Sequence, residues 1–135
     1  VGVERIVTTE GGRARGIPSP RSADGNVTVF RGLPYAAPPF GANRFAAPEP
    51  APEWEGVREC AHFGPPAPQS VGMIGAHPWR PGTSLDCLTL NVWTGAREGD
   101  RAPVLAWIHG GAYIVGPPRR RPTTAPGWPR TGSSW

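Results

Sequence analysis

The sequence predicts an α/β fold with a central, mostly parallel sheet, on two observations. Val104 to Ile108 is an unbroken apolar run of strand length, preceded by Pro103 and followed by the glycine pair Gly110-Gly111. A run that is apolar on both faces suits a strand covered by helices on each side. Upstream, Leu88, Leu90 and Val92 alternate with Thr89, Asn91 and Trp93, the pattern of a second strand.

The other elements follow in chain order. Residues 6–9, 12–17 and 26–30 read as short strands, separated by Gly11-Gly12 and by Ser22-Ala-Asp-Gly25. The proline-studded stretch 34–52 is expected to be an extended wrapping segment, because proline and the residue before it disfavour helix. Trp54 and Trp93 are expected core anchors. Gly95 to Arg101 is polar and glycine-punctuated, and reads as a hairpin-type connection into the apolar run. That run ends in His109-Gly110-Gly111-Ala112. Glycines directly after a strand allow a sharp turn and let backbone N–H groups approach a ligand. An oxyanion hole needs such donors, although a plain strand-to-loop turn fits the same four residues.

Together these segments resemble the type-B carboxylesterase family of the α/β-hydrolase superfamily, which includes the para-nitrobenzyl esterases and the cholinesterases. The resemblance is carried by Ser84-Leu-Asp-Cys-Leu-Thr-Leu-Asn-Val-Trp93, by the apolar run with His109-Gly-Gly-Ala112, and by earlier segments. These are Phe30-Arg-Gly-Leu-Pro-Tyr-Ala36, Pro38-Pro39, Arg44-Phe45, Pro48, Pro50 and Trp54. It implies a small N-terminal β-sheet leading into the main sheet, with residues 1–116 forming only the N-terminal portion of the catalytic domain. It also implies a serine esterase acting on small-molecule carboxylic esters. The oxyanion donors would be the backbone N–H groups of Gly111 and Ala112, with Gly110 allowing the turn. His109 would be a structural member of that loop, and Tyr113 either lines the acyl pocket or packs in the core.

Such an esterase needs a serine nucleophile, an acid and a histidine base. The serine sits in Gly-x-Ser-x-Gly, and the triad runs serine, acid, histidine along the chain. No Gly-x-Ser-x-Gly occurs in these 135 residues, and His62 and His77 precede the oxyanion strand. The fragment is therefore expected to be inactive alone. The alternative is a cholinesterase-like binding or adhesion protein that keeps the scaffold without the triad.

Leu85 replaces the family's signature glutamate, which commonly pairs with the arginine matching Arg44. Arg44 must then face water or turn to Asp86, since an unpaired buried guanidinium is costly. Cys87 matches the signature cysteine, but its frequent disulfide partner falls near Ala67. Pairing with Cys60 would need the Cα atoms within about 7 Å, and two free thiols are the preferred expectation.

Composition narrows the remaining possibilities. There is no phosphate-binding glycine loop and no metal-ligand spacing, so no cofactor and no metal are expected. No long apolar segment or secretory leader is visible, which favours the cytoplasm over a membrane. Through residue 115, ten arginines balance ten acids, and the net charge of +4 comes from Arg119, Arg120, Arg121 and Arg130. This cluster reads as a solvated tail rather than a nucleic-acid site, with a basic proline-rich interaction peptide as the competing reading. After Val115 the chain has five prolines and no Val, Ile, Leu, Met or Phe, so residues 117–135 are expected to be disordered. Read in a shifted frame, the back-translated tail permits Tyr-Asp-Gly-Ala-Arg-Leu-Ala-Ala-Asp-Gly-Val-Val-Val, ending in an apolar strand as the family does there. Residues 117–135 are accordingly read as a frameshift product.

Overall fold

The computed structural model describes residues 4–69 and 80–111. His77, Ala112, Tyr113 and the arginine-rich tail lie outside the described residues. Among the described residues, five strands form one small sheet: β1 (Arg5–Thr9), β2 (Gly12–Pro18), β3 (Thr28–Pro34), β4 (Val57–Glu59) and β5 (Thr89–Thr94). The order runs β1-β2-β3-β5, all antiparallel, and β4 adds to β2 in parallel.

The first two strands make a tight hairpin, with Thr9 opposite Gly12. β2 then meets β3 through only two residue pairs, Ile17 with Val29 and Pro18 with Thr28. Their connection is closed by Ser19 N–H donating to the Val27 carbonyl at 2.8 Å. Within it, the Asp24 carboxylate accepts from the Ser22 hydroxyl (2.5 Å), the Asn26 N–H (3.2 Å) and the Asn26 side-chain amide (2.9 Å). These bonds, led by that from Ser22, hold the Asp24 carboxyl below its ordinary value. Their contribution is present above that ordinary value and fades as pH falls through the lowered one.

Beyond these pairs β2 and β3 diverge, and Cys60 fills the gap. Its N–H donates to the Arg15 carbonyl and its own carbonyl accepts from Arg31 N–H, both at 2.8 Å. The small core sits at this wedge: Ala14, Phe30 and Cys60 are buried, with Val7, Leu33, Trp54 and Val92 packed against them. Trp54 is half-buried, and its indole N–H donates to the Arg13 carbonyl at 2.7 Å.

β3 starts two residues later than expected and runs through Pro34. Phe30 pairs with Val92 and Leu33 with Leu90, so β3 carries one extra residue there, a bulge. Gly32 occupies it at φ +65°, where a Cβ would lie 2.7 Å from the His62 carbonyl oxygen. The Asn91 side-chain oxygen accepts the Gly32 N–H at 3.0 Å. β4 was not foreseen, since three residues of mixed polarity give no periodic signal. The stretch 34–52 is irregular apart from one 3₁₀ turn at Gly41–Asn43, and Ala37 N–H to the Glu49 carbonyl (2.9 Å) ties it together.

Three expectations are corrected. Residues 104–108 form no strand: Val104, Leu105, Trp107 and Ile108 are 64–92% exposed. A strand needs neighbours to pair its backbone and cover its faces, and no described strand pairs with this run. For the same reason Gly95–Arg101 is a turn but not a hairpin; it is closed by Asp100, whose carboxylate accepts the Arg97 N–H at 2.7 Å. Trp93 is not a core anchor but 51% exposed. Val92 packs against the core, so strand alternation turns Trp93 to the opposite face of β5, away from that cluster.

Gly16 of β2 is buried against β3, and a Cβ there would lie 2.6 Å from Thr28 Cγ2 and 2.9 Å from two Phe30 ring carbons. Gly16→Ala is expected to lower stability by about 1–3 kcal/mol, read as a reduced urea midpoint by circular dichroism. Thr28→Ser, which removes only the clashing methyl, should recover part of the loss.

Candidate functional site

The site expected from sequence lies just after the open apolar run. His109, Gly110 and Gly111 follow it without regular structure, and Gly111 sits at φ +147°, in the region that favours glycine. A Cβ on Gly110 would meet nothing within 4 Å, so that position is open. The His109 ring makes a 2.9 Å contact from Nδ1 to the Gly110 carbonyl oxygen, a bond within the loop itself. Of the two expected donors, Gly111 has a backbone that favours glycine, and Ala112 lies outside the described residues.

The signature segment lies closer to the sheet. Arg44 is exposed, with its guanidinium 5.0 Å from the Phe45 ring centroid, so of its two options it faces water. Asp86 instead approaches Arg58 at 4.0 Å, and Arg58 also stacks 5.4 Å above the Trp54 ring. Both partners of that ion pair are more than a third exposed, which limits it to a fraction of about 1 kcal/mol. These residues, with Pro34, Pro38, Pro52 and Glu53, line a shallow cleft of about 210 Å³. The cleft shares no residue with 109–111.

Cys60 and Cys87 are both free. Burial is the main cause that pushes each thiol above its ordinary value. Cys60 is fully enclosed and Cys87 half-buried, so neither has the electropositive, accessible setting of a nucleophilic thiol. No group of three metal-ligating side chains occurs among the described residues, and no described helix is long and apolar enough to cross a membrane.

Solved α/β-hydrolase esterases share this arrangement. A carboxylesterase of Geobacillus stearothermophilus is 42% identical and superposes with a TM-score of 0.64, covering 82% of this chain and 20% of its own. A para-nitrobenzyl (PNB) esterase structure is 37% identical with a TM-score of 0.68, covering 84% of this chain and 23% of its own. The fold is thus an incomplete, N-terminal portion of an α/β-hydrolase.

The particular family follows from the sequence profile. That of the carboxylesterase family matches residues 3–124, and the chain belongs to this family. Phenmedipham hydrolase of Pseudarthrobacter oxydans is 47% identical over 93 residues, 65% of this chain and 19% of the relative. The cholinesterase of Mus musculus is 38% identical over 118 residues, 82% of this chain and 19% of the relative. The chain spans about a fifth of the length of these relatives.

Because burial depresses the thiolate fraction of both cysteines, each should alkylate more slowly than a free thiol at neutral pH. Iodoacetamide labelling read by mass spectrometry should leave Cys60 unmodified in the native chain and label Cys87 slowly. Both should react fully in urea. Rapid native labelling of Cys60 would contradict its enclosure.

Proposed function

We propose that residues 1–116 are the N-terminal part of a serine carboxylesterase and supply its oxyanion loop. In this reading the Gly111 and Ala112 N–H groups stabilise the negative charge that develops on the carbonyl oxygen of a small-molecule ester, and Gly110 lets the chain turn toward it. The observation that carries it is a backbone favouring glycine at Gly111, three residues after an apolar run, in a chain of the carboxylesterase family. Backbone donors suit this role because the turn fixes their direction before charge appears. His109, whose ring bonds within the loop, supports the turn rather than moving a proton.

No serine in these 135 residues lies in Gly-x-Ser-x-Gly, so the chain alone has donors without a nucleophile. Residues 117–135 are the translation of a shifted frame, because the alternative frame permits an apolar strand where the written one has prolines and arginines. Sequencing through the codons after Val115 tests this: a stop codon or residues unrelated to the family in the alternative frame would refute it.

The isolated chain is expected to hydrolyse para-nitrophenyl esters no faster than buffer. In the continuous esterase restored from the same gene, Gly111→Pro should lower kcat by about 10²–10³-fold, equivalent to about 2.7–4 kcal/mol, with little change in KM. Ala112→Gly keeps its N–H and should stay near wild type. A restored gene with no serine at the elbow would instead make the protein a non-catalytic binding relative.

A further inference from the structure

One peptide bond in the β2–β3 connection combines a reactive sequence with a restraining geometry. Asp24–Gly25 is the single place in the 135 residues where glycine follows an aspartate or an asparagine. The main-chain nitrogen after an aspartate can attack the side-chain carbonyl carbon, and glycine has no Cβ to obstruct the approach. The pair lies in a turn, with Asp24 exposed and Gly25 at φ +71°, in the region that favours glycine.

Both reacting groups are held by the same residue. The Ser22 hydroxyl donates to Asp24 Oδ1 at 2.5 Å, and the Ser22 carbonyl accepts the Gly25 N–H at 3.2 Å. Asn26 grips the carboxylate from the far side, its main-chain N–H on Oδ1 at 3.2 Å and its side-chain amide on Oδ2 at 2.9 Å. The Ser22 hydroxyl also accepts the Val27 N–H at 3.3 Å, which ties the clasp to the approach to β3. Donors around a carboxylate favour its ionised form, whereas attack needs the protonated acid, whose hydroxyl can leave as water. The Gly25 amide, for its part, has to break its bond to Ser22 before its nitrogen can release a proton and reach the carbon.

We infer that Asp24–Gly25 is a site of spontaneous isoaspartate formation, latched in the folded chain by Ser22. The Gly25 nitrogen bonds to Asp24 Cγ, its proton and the carboxyl hydroxyl depart as water, and a cyclic succinimide forms. Water then reopens the ring. Cleavage at Cγ restores aspartate; cleavage at the main-chain carbonyl carbon leaves the chain running through the Asp24 side chain. One water is lost and one regained, so no oxidant or reductant is involved. The isomerised chain is longer by one methylene, and its carboxylate hangs from Cα instead of standing where Ser22 and Asn26 grip it. The lesion falls where β2 and β3 share only two residue pairs, and it is independent of the esterase reading.

The test incubates the full chain in heavy-oxygen water at neutral pH, native and unfolded in urea, followed by trypsin digestion in ordinary water. Mass spectrometry of the peptide Ser22–Arg31 then counts isoaspartate, each ring opening adding one heavy oxygen. The native chain should accumulate it at least about tenfold more slowly than the unfolded chain, and Ser22→Ala should remove about tenfold of that protection, the rate equivalent of one charge-assisted hydrogen bond. Ser22→Thr keeps a hydroxyl and should stay near wild type. Asn26→Ala, which loses only the bond to Oδ2, should give a smaller rise than Ser22→Ala. Asp24→Glu needs a larger ring and should take up no label. Equal rates in the native and unfolded chain, or a Ser22→Ala variant with wild-type circular dichroism and the wild-type rate, would overturn the latch. An unfolded chain without label at Asp24 would overturn the site itself.

Discussion

The fold depends on the main chain of Cys60. β2 and β3 share only two residue pairs before they separate, and without a third element the two halves of the sheet would be joined by a hinge. Cys60 donates to Arg15 on one side and accepts from Arg31 on the other. That bridge satisfies backbone groups which would otherwise be stranded in the interior. The Cys60 side chain is fully buried beside Ala14 and Phe30, so one residue both closes the hydrogen-bond ladder and plugs the core. A thiol is a good choice there: it is small and packs like a hydrophobe, and burial keeps it protonated.

The bulge at Gly32 is the second consequence of that wedge. To stay bonded to Cys60 while pairing with β5, β3 has to take up one extra residue, and the left-handed backbone at Gly32 accommodates it. Asn91 then uses its side chain to accept the amide that the bulge frees. The segment linking the earlier strands to the signature region is thus set by polar satisfaction as much as by apolar packing.

Legibility in the sequence tracks how local each signal is. β1 and β2 were readable within a residue, because Gly11-Gly12 makes a turn and the flanking residues suit strands. β5 was readable from its alternation, but which face would be covered was not, and Trp93 was misplaced for that reason. β4 was invisible because its three residues are a strand only by virtue of β2 beside them. Of the site, the glycine pair was legible as a place for unusual backbone, and Gly111 does adopt a backbone that favours glycine; its role as an oxyanion donor stays a proposal. The apolar run before it was read as a strand and forms none among the described residues, because a buried parallel strand depends on neighbours that pair and cover it.

That distinction bears on what the proposed oxyanion loop would need. Burying a Val, Leu or Ile side chain is worth about 1.5–3 kcal/mol, and the run 104–108 forgoes most of this while it lies open. A backbone donor aids catalysis only when its direction is fixed before charge develops; a donor that has to be oriented during the reaction loses much of its advantage to reorganisation. The hydrophobic anchoring of residues 104–108 and the electrostatic value of the Gly111 amide are therefore one problem. In the proposed reading, covered apolar side chains would hold residues 104–108 in place, and these would in turn hold the turn that aims the N–H.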